Sequence, residues 1–309
     1  MKIDRIYLTT YARDVRQTRI CIASIRYFHP DTDIYLIIDE KLGPMPEKEF
    51  ANAWGVKRLQ SKSRYFLATM GQLEPFYTEP GVHFFQMDTD IVFVGPMLDL
   101  FEAHSEDIIV QKEFLTEEAC NTHWINRQRI GELDKDFEYP DWFFNSGQWA
   151  GTSGLFSEED FRPWLTDDAI PTLKEPKLFY QSQGLLNYVI MKAARAGRIT
   201  LGFENVALWA GNTKELDAIS LDDVRNKRHR PLMVHWAGMK QPKLEDYPRS
   251  DLFLFFEELY YSRINGGKVR RWWDMRWDPA VVDARRAMRR VLRTVAPSKA
   301  VGGHELGQR

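Results

Sequence analysis

A mostly parallel α/β sheet with helices on both faces, followed by a basic helical tail, is the fold class this sequence predicts. Three observations predict it. Apolar runs of strand length alternate with segments of helical period through the first hundred residues. The polar residues that close those runs, Thr9-Thr10-Tyr11, Asp39 and Asp88-Thr89-Asp90, fall at the carboxyl ends of strands, where sheets of this kind bind ligands. After Asn265-Gly266-Gly267 the composition changes from an acidic body to a segment rich in Arg and Trp.

Ile3 to Thr10 reads as the first strand. Val15 to Tyr27 carries Ile20, Ala23, Ser24 and Tyr27 at helical spacing and stops before His29-Pro30. Asp33 to Asp39 holds the continuous apolar run Ile34-Tyr35-Leu36-Ile37-Ile38, as a strand covered on both faces does. Pro46 to Trp54 is a second helix, Val56 to Leu59 a short strand, Arg64 to Pro75 a third helix and Val82 to Met87 a strand. Asp107 to Val110 is another strand. Cys120 to Asp141 reads as a polar, charge-rich loop, placed as an acceptor-side insertion. Gln181 to Arg195 is a helix, and Pro231 to His235 a short strand. The expected division is a catalytic core over 1–262 and a basic, Trp- and Arg-rich helical tail over 263–309, disordered from Ser298.

Composition bounds the function. The chain has 309 residues, 44% hydrophobic and 28% charged, ordinary values for a globular protein. A net charge of −2 gives no global case for a nucleic-acid partner. The charge is uneven: Arg263 to Lys299 carries eleven Lys/Arg and three Asp, a net of +8 that leaves about −10 on the rest. Two cysteines, Cys21 and Cys120, make no disulfide framework and fit a reducing compartment. The start of the chain lacks the layout of a signal peptide, and no apolar stretch reaches membrane-spanning length. The expectation is a cytoplasmic protein, or one peripheral on the inner face of the membrane.

Asp88-Thr89-Asp90 carries the chemistry. It follows the apolar Val82-His83-Phe84-Phe85-Gln86-Met87 and precedes Ile91-Val92-Phe93-Val94. Two carboxylates at the end of a buried strand are costly unless a cation compensates them. A hard divalent ion, Mn²⁺ or Mg²⁺, is the natural one. A surface turn with merely solvated acids is the other reading.

Four segments then stand in order: Met87-Asp88-Thr89-Asp90-Ile91-Val92, Asn145-Ser146-Gly147, Gln183-Gly184-Leu185-Leu186-Asn187 and His235-Trp236-Ala237-Gly238-Met239-Lys240. By these motifs the chain resembles a GT-A-fold glycosyltransferase, most closely the retaining family 8 type, over about residues 3 to 243. The resemblance implies that Asp88 and Asp90 bind Mn²⁺ and the donor diphosphate, with Asp90 also counted in the catalytic set. It implies that His235 is a third protein ligand and that Gly238 and Lys240 contact the diphosphate. Thr9, Thr10, Tyr11 and Asp39 fall where the family holds the nucleotide base, and Asn145, Ser146 and Gly147 where it lines the donor sugar.

The chain also departs from the family. Where relatives read Asp-Gln-Asp before Leu-Asn, this chain reads Ser182-Gln183-Gly184. The glutamine stays and both acids are gone. Gln183 remains the candidate catalytic residue, positioning a donor hydroxyl or stabilising an oxocarbenium-like centre; a helix residue facing a loop is the alternative. Asn187 reads as a residue that satisfies backbone. Arg64 begins a helix where its charge could reach phosphate, or lies at the surface. Glu138 and Asp141 are acceptor-base candidates for an inverting route, or solvated loop acids.

The tail carries a second signal. Asp278-Pro279 is a helix start, and Val281, Ala284, Met288, Val291 and Val295 share one stripe. Arg285, Arg286, Arg289, Arg290 and Arg293 crowd the remainder, behind Trp272, Trp273 and Trp277. Such a segment suits an anionic membrane surface, as a lipid-linked acceptor requires; packing on the core or a nucleic-acid contact are the alternatives. The function expected is transfer of a sugar from a nucleotide-sugar donor, UDP-linked, to a hydroxyl of a glycan or glycolipid in cell-surface polysaccharide or lipopolysaccharide-type synthesis. A nucleotidyltransferase needs a Gly-rich loop after the first strand, and Thr9 to Arg16 has no glycine. A non-catalytic binder of nucleotide sugars is the rival from another class.

Overall fold

The computed structural model describes residues 1–40, 43–60, 68–114, 116–168, 172–239 and 243–276. Its strands are β1 (Arg5–Tyr11), β2 (Asp33–Asp39), β3 (Lys57–Arg58), β4 (His83–Asp88), β5 (Ile91–Phe93), β6 (Ile108–Val110), β7 (Gln148–Thr152), β8 (Leu201–Phe203), β9 (Ala207–Trp209) and β10 (Met233–His235). The helices are α1 (Val15–Phe28), α2 (Glu47–Trp54), α3 (Glu117–His123), α4 (Arg127–Leu133), α5 (Glu158–Phe161), α6 (Gln181–Arg195), α7 (Thr213–Asp217), α8 (Leu221–Arg225) and α9 (Ser250–Ser262). Residues 267–276 are also helical.

Seven strands form the main sheet in the order β3-β2-β1-β4-β7-β6-β8. The pairs β3–β2, β2–β1, β1–β4 and β6–β8 are parallel, while β7 runs against both its neighbours, β4 and β6. The strands are buried on both faces because helices cover both. One apolar cluster joins Ile6, Leu8, Ile34, Leu36 and Phe85 to Ile22, Phe253 and Phe256. The other joins Tyr7, Phe84 and Trp149 to Phe76, Leu186 and Ile190. Tyr7 and Leu8 belong to different clusters, as alternate residues of a strand point to opposite faces.

A small second sheet, β5-β10-β9, stands beside the first. β5 and β10 are antiparallel with His235 opposite Ile91, so β10 delivers the histidine to the residue after Asp90.

The structure corrects two expectations. Of the expected helix Arg64 to Pro75, Arg64 to Leu67 lie outside the described residues, and Ala68–Tyr77 is 3₁₀. Gly71 weakens an α-helix there, and Pro75 has no N–H for an i→i−4 bond. The expected loop Cys120 to Asp141 holds α4 and most of α3. Each has a side-chain cap that polarity alone concealed: Ala119 N donates to Thr116 Oγ1 at 3.3 Å, and Arg129 N to Asn126 Oδ1 at 2.9 Å. β7, β8 and β9 were not expected as strands, and β8 and β9 have only three residues each.

Candidate active site and metal centre

The carboxyl end of β4 is where the sequence motifs meet. Asp88 N donates to Gly147 O at 2.8 Å, extending the β4–β7 ladder and laying Asn145-Ser146-Gly147 beside the first acid. Trp236 N donates to Asp90 O at 3.0 Å, extending the β5–β10 ladder and laying His235 beside the second. Segments about 60 and about 145 residues beyond the two acids in sequence thus converge on them through main-chain register.

One oxygen from each of Asp88 and Asp90 and a ring nitrogen of His235 lie within 4.8 Å of one another. His235 Nε2 is 3.2 Å from Asp90 Oδ1, and His235 Nδ1 is 2.9 Å from Gln148 Oε1. The ring stacks on Trp209, centroids 4.8 Å apart and planes inclined by 28°. The Trp209 N–H donates to Glu113 Oε1 at 3.2 Å. Burial pushes the Glu113 carboxyl up, partly offset by the Trp209 and Gln111 donors.

The cluster fits a divalent ion on two counts. Two carboxylates and an imidazole are all ligands that divalent cations accept. Burial, then the Asp90 charge, pushes the Asp88 carboxyl up to about 6, against His235 and the Gln72 amide. Folding therefore places two acids where ionising both is unfavourable without a cation.

The sign of that shift gives a pH prediction. In the unfolded chain Asp88 titrates near 3.8. The protonated form is favoured in the folded state, so its contribution to stability is complete below 3.8 and lost as pH rises through about 6. With EDTA present, the stability difference between the wild type and Asp88→Asn, from urea midpoints, is expected to shift against the wild type between pH 4 and 7. A constant difference over that range contradicts the assignment.

Gln72 was missed by the sequence reading. Its Nε2 donates to Asp88 Oδ1 at 3.1 Å, and its Oε1 accepts from Ser182 Oγ at 3.1 Å. Both residues are buried. Ser182, where the resemblance leads one to expect an acid, thus acts on the site through Gln72. The second missing acid has a steric reason. A Cβ on Gly184 would lie 2.0 Å from Trp124 O and 3.0 Å from Phe179 Cα, so this turn of α6 packs on bare backbone.

Gln183 is engaged at both ends of its amide. Nε2 donates to His123 O at 2.8 Å, and Oε1 accepts from Asn145 Nδ2 and Ser146 N, each at 3.2 Å. Asn187 satisfies backbone as expected, accepting from Phe144 N at 3.0 Å and donating to Phe144 O and Gln183 O, each at 2.9 Å. Gly147 lies against Asn145, Asp88 and His235. A Cβ there would lie 2.6 Å from Asn145 Oδ1, 2.8 Å from Asp88 Oδ2 and 2.9 Å from His235 Cε1.

These contacts predict contrasting outcomes for two alanines. Gly147→Ala meets side-chain atoms of the cluster, so the fold is expected to survive while Mn²⁺ binding is lost. Gly184→Ala meets main chain, and overpacking of this kind costs about 1–3 kcal/mol or more. Urea unfolding and Mn²⁺ titration of both variants check this; equal stability losses contradict it.

The other expected residues are placed as follows. Tyr11 and Asp39 face each other across β1 and β2 at their carboxyl ends, and Thr9 pairs with Asp88. Thr9 Oγ1 accepts from Gln86 Nε2 at 2.7 Å. The Thr10 hydroxyl is turned into the body of the fold, 2.6 Å from Thr18 Oγ1. Gly238 has φ +70°, which favours glycine, with open space around it. Lys240 and Arg64 lie outside the described residues, as do Trp277 and the Arg285–Arg293 stripe. Glu138 is at the surface, 3.3 Å from Arg195. Asp141 is exposed.

No family model matches the chain, and no curated sequence matches it at a significant level. Solved structures do resemble it. The galactosyltransferase LgtC, solved in complex with donor and acceptor sugar analogues, matches with a TM-score of 0.54 at 13% identity, over 84% of this chain and 96% of LgtC. The bifunctional glycosyltransferase WbbM matches at 0.51 and 13% identity, over 85% of this chain and 52% of WbbM. The glycosyltransferase GlyE of Streptococcus pneumoniae TIGR4 matches at 0.50 and 12% identity, over 86% of this chain and 62% of GlyE. The chain thus spans about half of WbbM and nearly all of LgtC. At these identities the likeness establishes the fold: a GT-A α/β architecture with a central, mostly parallel sheet.

Proposed function

We propose that the protein is a divalent-metal-dependent glycosyltransferase. It moves a sugar from a nucleoside diphosphate donor, UDP-linked, to a hydroxyl of a glycan or glycolipid with retention of configuration. The observation that carries this is the Asp88, Asp90 and His235 cluster at the carboxyl edge of a GT-A sheet. Bound there, Mn²⁺ or Mg²⁺ supplies charge neutralisation to the departing diphosphate. Asp88 and Asp90 would hold it by oxygen and His235 by nitrogen. Thr9, Tyr11 and Asp39 border the base, with Thr10 contributing main chain. Asn145, Ser146 and Gly147 line the donor sugar. Gly238 leaves the diphosphate room to approach, and Lys240 meets it with a point charge. Gln183 orders the Asn145–Ser146 segment by its carbonyl and, at that edge of the site, is the residue assigned to position a donor hydroxyl. An inverting route needs a base on the acceptor side.

In this reading the acceptor sits at an anionic membrane, in cell-surface polysaccharide or lipopolysaccharide-type synthesis. Among the described residues no helix is long and apolar enough to cross a membrane. Helix 267–276 instead presents Val269, Trp272 and Trp273, 63%, 54% and 48% exposed, at i, i+3 and i+4. The Arg276 guanidinium lies 5.5 Å from the Trp272 ring centroid. Aromatic rings and Arg side by side suit a headgroup layer. Co-sedimentation with anionic but not neutral vesicles, lost in a Trp272→Ala, Trp273→Ala double variant, is the expected result.

A second reading, a nucleotide-sugar binder without turnover, is favoured by one observation: both ends of the Gln183 amide are already bonded. One experiment decides between them. The protein is incubated with Mn²⁺ and UDP-, GDP- and CMP-sugars without acceptor, and free nucleotide is measured. Release from a UDP-sugar supports the enzyme. Binding without release, with or without simple glycan acceptors, supports the binder. Neither binding nor release rejects both.

A further inference from the structure

Gln148 stands out once the cluster is described. It is the first residue of β7, directly after Gly147, and is 1% exposed. A glutamine this deeply buried needs partners for its amide. Its Oε1 faces His235 Nδ1 at 2.9 Å, and its Nε2 makes no hydrogen bond among the described residues. One end of the side chain is committed to the histidine, and the other meets no hydrogen-bond partner among the described residues. Packing alone does not account for an amide here, since an apolar side chain of the same length would leave no orphaned donor.

The geometry points to Gln148 as the positioning residue that makes His235 a metal ligand through Nε2. This rests on the metal reading proposed above. Nε2 is the nitrogen turned toward Asp90. A metal-bound imidazole nitrogen carries no proton, so the other nitrogen must carry it and donate it to an acceptor. His235 is 3% exposed, and Gln148 Oε1 is the acceptor within reach of Nδ1. The stacked Trp209 ring fixes the tilt of the imidazole, and Gln148 fixes its rotation and tautomer. The start of β7 and the residue before it thereby set two parts of the site at once: Gly147 O holds the Asp88 backbone, and Gln148 holds the His235 ring.

The test compares Gln148→Met with Gln148→Glu in the full chain. Met matches the glutamine in length and has no strong acceptor; Gln148→Leu replaces it if the Met variant fails to fold by circular dichroism. Mn²⁺ alone is titrated, and the free ion is read by electron paramagnetic resonance, then again with UDP. Gln148→Met is expected to weaken Mn²⁺ binding by about 10–100-fold, the usual effect of losing such an outer partner. Gln148→Glu, whose carboxylate also accepts from Nδ1–H, is expected to bind Mn²⁺ at least as tightly as the wild type. A space-filling role predicts the reverse order, because Met suits a buried site and an added charge does not. Mn²⁺ binding by Gln148→Met within about twofold of wild type, or by Gln148→Glu as weak as Met, overturns the assignment. A wild type with no Mn²⁺ site sensitive to Asp90→Ala overturns the metal reading itself.

Discussion

Asp90→Ala is expected to reduce nucleotide release from the donor by about a thousandfold or more, the several kcal/mol that a divalent ion supplies to a departing diphosphate. The fold is expected to survive it. Asp90 is only partly buried, 27% exposed at its side chain, and its backbone carbonyl, which accepts from Trp236 N, is untouched by the substitution. Removing one of two crowded carboxylates also relieves the repulsion that helps to push the Asp88 carboxyl up. The metal-free variant should therefore melt no lower than the metal-free wild type above pH 6. The combination is diagnostic: activity gone, metal-free stability kept or raised. If Asp90 were instead a surface-turn acid with a structural role, its loss would lower stability and leave turnover largely in place.

The second large effect is expected at a distance from the site. Arg19→Met should destabilise the protein by about 3–5 kcal/mol, because removing one member of a buried ionic cluster strands the others. The Arg19 side chain is 4% exposed. Its Nε lies 2.9 Å from Glu49 Oε1, and its Nη1 lies 2.8 Å from Asp274 Oδ2 and 3.0 Å from Tyr261 Oη. Tyr260 Oη donates to Glu49 Oε1 at 2.8 Å, and Tyr261 Oη to Asp274 Oδ2 at 2.6 Å. One guanidinium therefore ties α1 to α2, α9 and helix 267–276. A parallel link runs from Arg271 to Glu257, whose other oxygen meets Arg16. Urea unfolding should show a lower midpoint at unchanged slope for Arg19→Met. A shift below about 1 kcal/mol, the level of an exposed ion pair, contradicts the account.

These links bear on what could be read from the sequence. The first half of the fold was legible because its strands are continuous apolar runs with helix-period segments between them. β1, α1, β2, α2 and β4 came out within a few residues. The convergence of Asp88, Asp90 and His235 was legible from motif order, though the register that produces it was not. His235 arrives through an antiparallel pairing of two three-residue strands, too short to leave a period. Gln72 and Gln148 were invisible for another reason. Neither belongs to a motif, and each amide meets its site residue across a pairing distant in sequence or set by strand register. The loss of both acids around Gln183 was plain in the sequence; its cause at Gly184, the Trp124 main chain, was not. Basic composition likewise marked the tail but hid Asp274, the acid that fastens helix 267–276 to Arg19.

The central claim is that Asp88, Asp90 and His235 together hold a divalent ion against a nucleoside diphosphate. Crystals grown or soaked with MnCl₂ and UDP, measured on both sides of the manganese absorption edge, test it most directly. One anomalous peak is expected within coordination distance of an oxygen from each aspartate and of His235 Nε2, with diphosphate oxygens beside it. No peak at the end of β4 with UDP bound, or a peak that excludes His235, would contradict it.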